Sequence, residues 1–210
     1  METRVKICGI TSVADGWLAA EAGADMIGLM FYERSARHLP MAEAVAISRA
    51  LPPFVLRVGV FVNPDEALVT RALGECGLSL LQFHGEEASD FCTQFGVLSL
   101  KAVRVRDAAS LAPLEHLRTD AFLLDAYSQS GRGGTGETFN WDLAVAAKKF
   151  GKPIFLAGGL TPENVGTAVR QVRPFAVDVS SGVESVPGKK DEAKVRAFIA
   201  AAKAAEKDIA

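Results

Sequence analysis

Arg4-Val5-Lys6-Ile7-Cys8-Gly9-Ile10-Thr11 reads as a short strand ending in a thiol, then a glycine turn and a helix start. Alternation puts Val5 and Ile7 on one face, so Lys6 and Cys8 point the other way, at the mouth of a sheet. An amine two residues from a thiol favours the thiolate. A cysteine in a short apolar run is also ordinary packing, and the segment alone leaves both readings open.

Outward from this unit, the chain alternates short apolar runs with amphipathic stretches, with no break in composition. Strands are predicted at Val5–Cys8, Met26–Phe31, Leu56–Val62, Ser79–His84, Leu98–Val103, Ala121–Asp125, Pro153–Ala157 and Ala176–Ser180. Helices are predicted between them at Ser12–Ala22, Met41–Leu51, Pro64–Gly74, Glu86–Phe95, Ala108–Leu117, Trp141–Phe150, Pro162–Val172 and Asp191–Lys207. Thr11 and Ser12, Asn63-Pro64, Asn140 and Thr161-Pro162 supply capping side chains or a first-turn proline. Repeated βα units predict a parallel α/β fold, and eight of them in about 200–250 residues match a closed (βα)8 TIM barrel spanning 1–210 as one domain. The competing architecture is an open doubly wound sheet. Its first turn normally carries a glycine-rich dinucleotide fingerprint, which Cys8-Gly9-Ile10-Thr11 lacks.

Composition narrows the function classes. The 210 residues are 49% hydrophobic and 23% charged, enough to bury a sizeable core. A net charge of −2 offers no general basic surface, so nucleic acid is not an expected partner and an anionic ligand must be held locally. Cys8, Cys76 and Cys92 are odd in number, and His38, His84 and His116 are scattered, which suggests neither disulfides nor a metal site. A reducing cytoplasm fits this usage. No uncharged stretch approaches the roughly 20 residues of a membrane span. Assembly as monomer or homodimer is left open.

In a barrel the loops after the strands gather at one rim and carry the chemistry, so strand ends are the place to look. Asp125 closes the sixth strand on the face shared by Ala121 and Leu123, and the same parity turns Asp178 and Ser180 inward on the eighth. Gln82 and His84 share a face at the end of the fourth. Lys6, Arg57 and Lys101 are read as interior cations able to neutralise these carboxylates. The plainer alternative is a set of paired ions that satisfy one another. Glycine clusters follow the last three strands: Gly131-Arg132-Gly133-Gly134-Thr135-Gly136, Gly158-Gly159-Leu160 and Ser180-Ser181-Gly182-Val183. Glycine lets backbone amides approach an anion, and barrel phosphate sites are commonly built after strands seven and eight.

Five segments together resemble the phosphoribosylanthranilate isomerase family. They are Arg4–Thr11, Arg57–Asn63, Gln82–Glu86, Leu156–Val165 and Arg173–Glu184, and the likeness continues to Pro187-Gly188-Lys189-Lys190-Asp191. The resemblance implies a (βα)8 barrel of tryptophan biosynthesis that needs neither metal nor organic cofactor. It implies an Amadori rearrangement of N-(5-phosphoribosyl)anthranilate to 1-(2-carboxyphenylamino)-1-deoxyribulose 5-phosphate. By family motif, Cys8 is the general base, Asp125 the general acid and Arg37 the ligand of the anthranilate carboxylate. With the glycine loops, the expected substrate-binding set is Arg37, Gly134, Gly136, Gly158, Gly159, Asp178, Ser180, Ser181 and Gly182. Other phosphosugar barrel enzymes and a non-catalytic phosphoanthranilate-binding protein are the rival readings.

Overall fold

In the computed structural model, which describes residues 2–126 and 140–207, the strands follow chain order around a closed barrel. They are β1 (Arg4–Cys8), β2 (Met26–Met30), β3 (Leu56–Phe61), β4 (Leu80–Phe83), β5 (Leu98–Val105), β6 (Ala121–Ala126), β7 (Ile154–Leu156) and β8 (Ala176–Val179). All neighbours are parallel, and β1 pairs with both β2 and β8, which closes the ring and excludes the open sheet.

Strand parity sorts the apolar side chains into two populations. Met26, Val58, Val60, Leu80, Leu100, Leu123, Phe155 and Ala176 fill the barrel, while Ile7, Ile27, Phe61, Phe83, Leu124 and Val177 face the helices. The barrel is therefore a packed core, and space for a ligand exists only at its rim. The larger core lies between the strands and the helical ring, where Phe31, Phe61 and Phe83 stack in series with centroids 5.1 and 6.0 Å apart.

The helices are α1 (Val13–Ala22), α2 (Met41–Ala50), α3 (Glu66–Cys76), α4 (Ser89–Thr93), α5 (Asp142–Ala147), α6 (Val165–Val172) and α7 (Glu192–Lys207). Ser12 caps α1 by accepting from the Asp15 amide at 3.1 Å. Helix α3 begins later than the Asn63-Pro64 signal predicts, because Asp65 is its cap and accepts from the Leu68 amide at 2.7 Å. Helix α4 is far shorter than Glu86–Phe95. The Glu87 carboxylate is committed to the amides of Asn63 and Gly85 and to Lys101, which holds the segment before Ser89 as a loop. Ala108–His116 is a 3₁₀ helix with Pro113 inside it, since proline lacks the amide that a regular turn needs. Two short strands were not expected: β9 (Glu184–Val186) and β10 (Lys189–Lys190) form an antiparallel hairpin after β8.

Arg57 and Lys101 correct the reading of interior cations. Val58 and Val60 occupy the inward positions of β3, so Arg57 points outward. There its guanidinium donates to the carbonyls of Ser48, Leu51 and Val55 and closes the end of α2. Leu100 and Ala102 are inward on β5, and Lys101 points outward to the Gly85 carbonyl and Glu87 at 2.6 and 2.7 Å. Of the three cations, Lys6 alone lies inside the barrel. Among the described residues no helix is long and apolar enough to cross a membrane.

Candidate active site

At the C-terminal rim of the barrel a small cleft is lined by Cys8, Arg37, His84, Asp125, Asp178 and the loops after β7 and β8. Cys8 and Asp125 are thus brought to one opening from non-adjacent strands. Gly134 and Gly136 lie outside the described residues.

Cys8 follows Lys6 on the inward face of β1. Lys6 is fully buried and donates to Asp178 Oδ1 at 2.8 Å, across the rung where the register pairs the two residues. Burial disfavours the ammonium, but Asp178, helped by Cys8, outweighs it and raises Lys6 above its ordinary value. Burial pushes the Cys8 thiol up. Lys6 and Lys190 oppose that shift and Asp178 adds to it, so the nearby amine does not by itself leave a ready thiolate. Room for the thiol comes from Gly28 on β2, whose ideal Cβ would stand 2.7 Å from Sγ and 3.2 Å from Lys6 Nζ.

Across the cleft Asp125 is 5% exposed at the top of β6. Its Oδ2 lies 3.2 Å from His84 Nε2, close but without hydrogen-bond alignment. His84 Nδ1 in turn lies 3.4 Å from Gln82 Nε2, so one inward face of β4 backs the carboxylate with two polar side chains. Gly158, in the left-handed region at φ 82°, abuts the same carboxylate: a Cβ there would stand 2.8 Å from Asp125 Oδ1 and collide with the Ala126 amide. Gly159 is also left-handed at φ 64°. Gly182 packs against the Leu160 carbonyl with no space for a side chain, which joins the loops after β7 and β8 into one wall. Ser180 Oγ is buried beside that wall and has no hydrogen-bond partner among the described residues.

Arg37 enters from the loop after β2. That loop is pinned by a bond from the Leu39 amide to the Met30 carbonyl at 2.9 Å, and the Arg37 amide donates to Ser35 Oγ at 3.1 Å. The guanidinium grips Glu184 with two bonds, Nε to Oε1 at 2.8 Å and Nη2 to Oε2 at 2.6 Å. The Arg37 stem crosses Gly9, where a Cβ would stand 2.6 Å from Arg37 Cδ.

The family model described as N-(5'phosphoribosyl)anthranilate (PRA) isomerase matches residues 5–201. This chain belongs to the PRA isomerase family. It is an isomerase of that class, 56% identical over 201 residues to the N-(5'-phosphoribosyl)anthranilate isomerase of Geobacter metallireducens, covering 96% of this chain and 99% of the relative. A crystal structure of phosphoribosyl anthranilate isomerase from Thermotoga maritima superposes with a TM-score of 0.91 at 42% identity, over 96% of this chain and 99% of that one. A phosphoribosyl anthranilate isomerase crystallised in complex with reduced 1-(o-carboxyphenylamino)-1-deoxyribulose 5-phosphate superposes at 0.87 with 40% identity, over 96% of this chain and 99% of that one. The T. maritima enzyme is described as dimeric.

Within this PRA isomerase, two rim residues escaped the reading of the sequence. Glu184 and Lys190 are buried charged groups on β9 and β10 and make an ion pair at 2.8 Å. Both stand in the strings that carry the resemblance, but no strand parity assigns them to the cleft, because the hairpin lies outside the βα rhythm. Gly28 carried no signal either. A glycine inside an apolar strand reads as a local weakness until the side chain it faces is known.

Proposed function

We propose that the chain converts N-(5-phosphoribosyl)anthranilate to 1-(2-carboxyphenylamino)-1-deoxyribulose 5-phosphate for tryptophan biosynthesis, with Asp125 as general acid and Cys8 as general base. One observation carries the assignment: a thiol and a carboxyl group flank a single rim cleft whose remaining wall is the glycine-lined pair of loops after β7 and β8. Opening the ribofuranose ring needs a proton on the ring oxygen as its bond to the anomeric carbon breaks. Asp125, backed by His84, supplies it. The resulting imine, conjugated with the anthranilate nitrogen, acidifies the neighbouring carbon. Cys8 as thiolate removes that proton, and the enolamine tautomerises to the ketone. The substrate phosphate lies against Gly158, Gly159, Ser180, Ser181 and Gly182, where close backbone approach suits an anion. Arg37 meets the anthranilate carboxylate, and Asp178 keeps Lys6 charged beside the thiol.

Substrate made in situ and followed by loss of its anthranilate-type fluorescence tests this directly. General acid–base groups contribute about 10²–10⁴-fold, so Cys8→Ala and Asp125→Asn are each expected to lose activity on that scale while still binding a product analogue. Turnover at the wild-type rate in either variant reassigns that role.

A further inference from the structure

The ion cluster behind Arg37 does more than fill space. Glu184 engages two of the five guanidinium donors and leaves the remaining ones for the cleft, where Arg37 stays partly exposed. The Oε1 that accepts from Arg37 Nε also accepts from Lys190 Nζ at 2.8 Å. Lys190 Nζ then reaches the Cys8 carbonyl at 2.7 Å and the Ser180 carbonyl at 3.3 Å, the backbone at the ends of β1 and β8. Among the described residues two basic side chains, Arg37 and Lys190, share the one Glu184 carboxylate on the wall facing the thiol. Buried charge of this kind is completed by an anion.

We propose that Glu184 and Lys190 are positioning residues for the reaction, with Glu184 aiming Arg37 at the substrate carboxylate and Lys190 fixing that aim relative to the end of the strand carrying Cys8. This rests on the isomerase reading above and adds to it a source of selectivity: the cluster favours an aminoaldose bearing an aryl carboxylate over the same compound without one.

The test compares N-(5-phosphoribosyl)anthranilate with N-(5-phosphoribosyl)aniline, which lacks the carboxylate, in the wild type, Glu184→Gln and Glu184→Asp. The readout is the ratio of the two kcat/KM values. Charge-assisted hydrogen bonds of this type correspond to about 10- to 100-fold in binding, so both variants are expected to lose about that much of the ratio, chiefly through KM for the anthranilate compound. A merely structural role would slow both substrates together and leave the ratio in place. Glu184→Asp keeps the charge but is too short to hold Arg37 and Lys190 at once, so it carries the test if Glu184→Gln does not fold.

The pH profile supplies a second reading. Cys8 is faced by Lys6 on β1, Asp178 on β8, Lys190 on β10 and Arg37 from the loop after β2, with His84 and Asp125 across the cleft. Glu184→Gln removes the negative charge that lies behind Arg37 and Lys190, and Lys190→Met removes a positive charge from the set itself. The alkaline-rising limb of kcat/KM is therefore expected to move to lower pH in the first and to higher pH in the second. An unchanged ratio in an active Glu184 variant overturns the positioning role, as do limbs that move together. A wild type without turnover of the anthranilate compound instead overturns the isomerase reading itself.

Discussion

Gly28→Ala is the sharpest perturbation the structure offers, because it adds one methyl group and replaces no charged side chain. The new Cβ would stand 2.7 Å from Cys8 Sγ, 3.0 Å from Cys8 Cα and 3.2 Å from Lys6 Nζ, whereas ordinary contacts begin near 3.4 Å. Sulfur must retreat by about 0.7 Å, and rotating the thiol does not relieve the clash with Cα, so β1 must move against β2 as well. A misplacement near 1 Å at a reacting group costs about 10²-fold, so kcat is expected to fall about 30- to 100-fold. Overpacking also costs about 1–3 kcal/mol of stability. Steady-state turnover by fluorescence, a thermal melt and the rate of Cys8 alkylation by iodoacetamide read the three consequences separately. Gly74→Ala is the matched control: Gly74 lies in α3 with nothing within 4 Å of its ideal Cβ, so the same methyl should leave kcat alone and raise Tm slightly. A Gly28→Ala enzyme with kcat within about twofold of wild type and an unaltered alkylation rate would refute the geometric reasoning.

Four further outcomes rest on the same buried and rim-facing groups. Because burial holds the Cys8 thiol above its ordinary value of 9.0, kcat/KM should still be rising with pH at that value. The sign for stability is opposite: the raised thiol stabilises the fold below 9.0 and loses that contribution as pH climbs through the folded value, which urea melts at several alkaline pH values would read. Lys6→Met strips a buried carboxylate of its cation and is expected to cost about 3–5 kcal/mol by denaturant titration, far more than a surface charge would. Arg57→Ala removes donors from the carbonyls of Ser48, Leu51 and Val55 and should cost about 1–3 kcal/mol with kcat unchanged. A drop in kcat there would place Arg57 in the site after all.

What the sequence makes legible here follows from period and punctuation. Strand parity sends Lys6, Cys8, Gln82, Asp125 and Asp178 inward because each has inward-facing apolar neighbours two residues away or lies one rung from such a residue. The same rule fails for Arg57 and Lys101, since alternation gives two faces without saying which is the barrel interior. Only the partner strand decides, and on β3 and β5 the valine, leucine and alanine side chains already fill the interior. The Glu86–Phe95 helix fails for a different reason: its first turn is diverted by a carboxylate whose partners, Asn63 and Lys101, sit on other elements. The Glu184–Lys190 hairpin has neither period, and its importance rests on two contacts across the rim, to Arg37 and to the Cys8 carbonyl.

The distribution of buried charge separates what serves the fold from what serves the cleft. Arg57 and Lys101 face the helical shell and spend their donors largely on backbone carbonyls, where a cation answers the unsatisfied ends of helix and loop. Lys6–Asp178 and Glu184–Lys190 are ion pairs, and replacing such pairs by apolar groups of equal volume is often neutral or stabilising. Stability alone therefore gives little reason to keep charges at these positions. Lys6 and Asp178 share a rung just below Cys8, and Glu184 and Lys190 belong to the hairpin that follows β8 at the rim. Both pairs border Cys8, one through the Lys6 side chain and the other through the Cys8 carbonyl. A thiol buried among these groups gains its negative charge only if the surrounding cations are already held in place, and Asp178 and Glu184 are the residues that hold them.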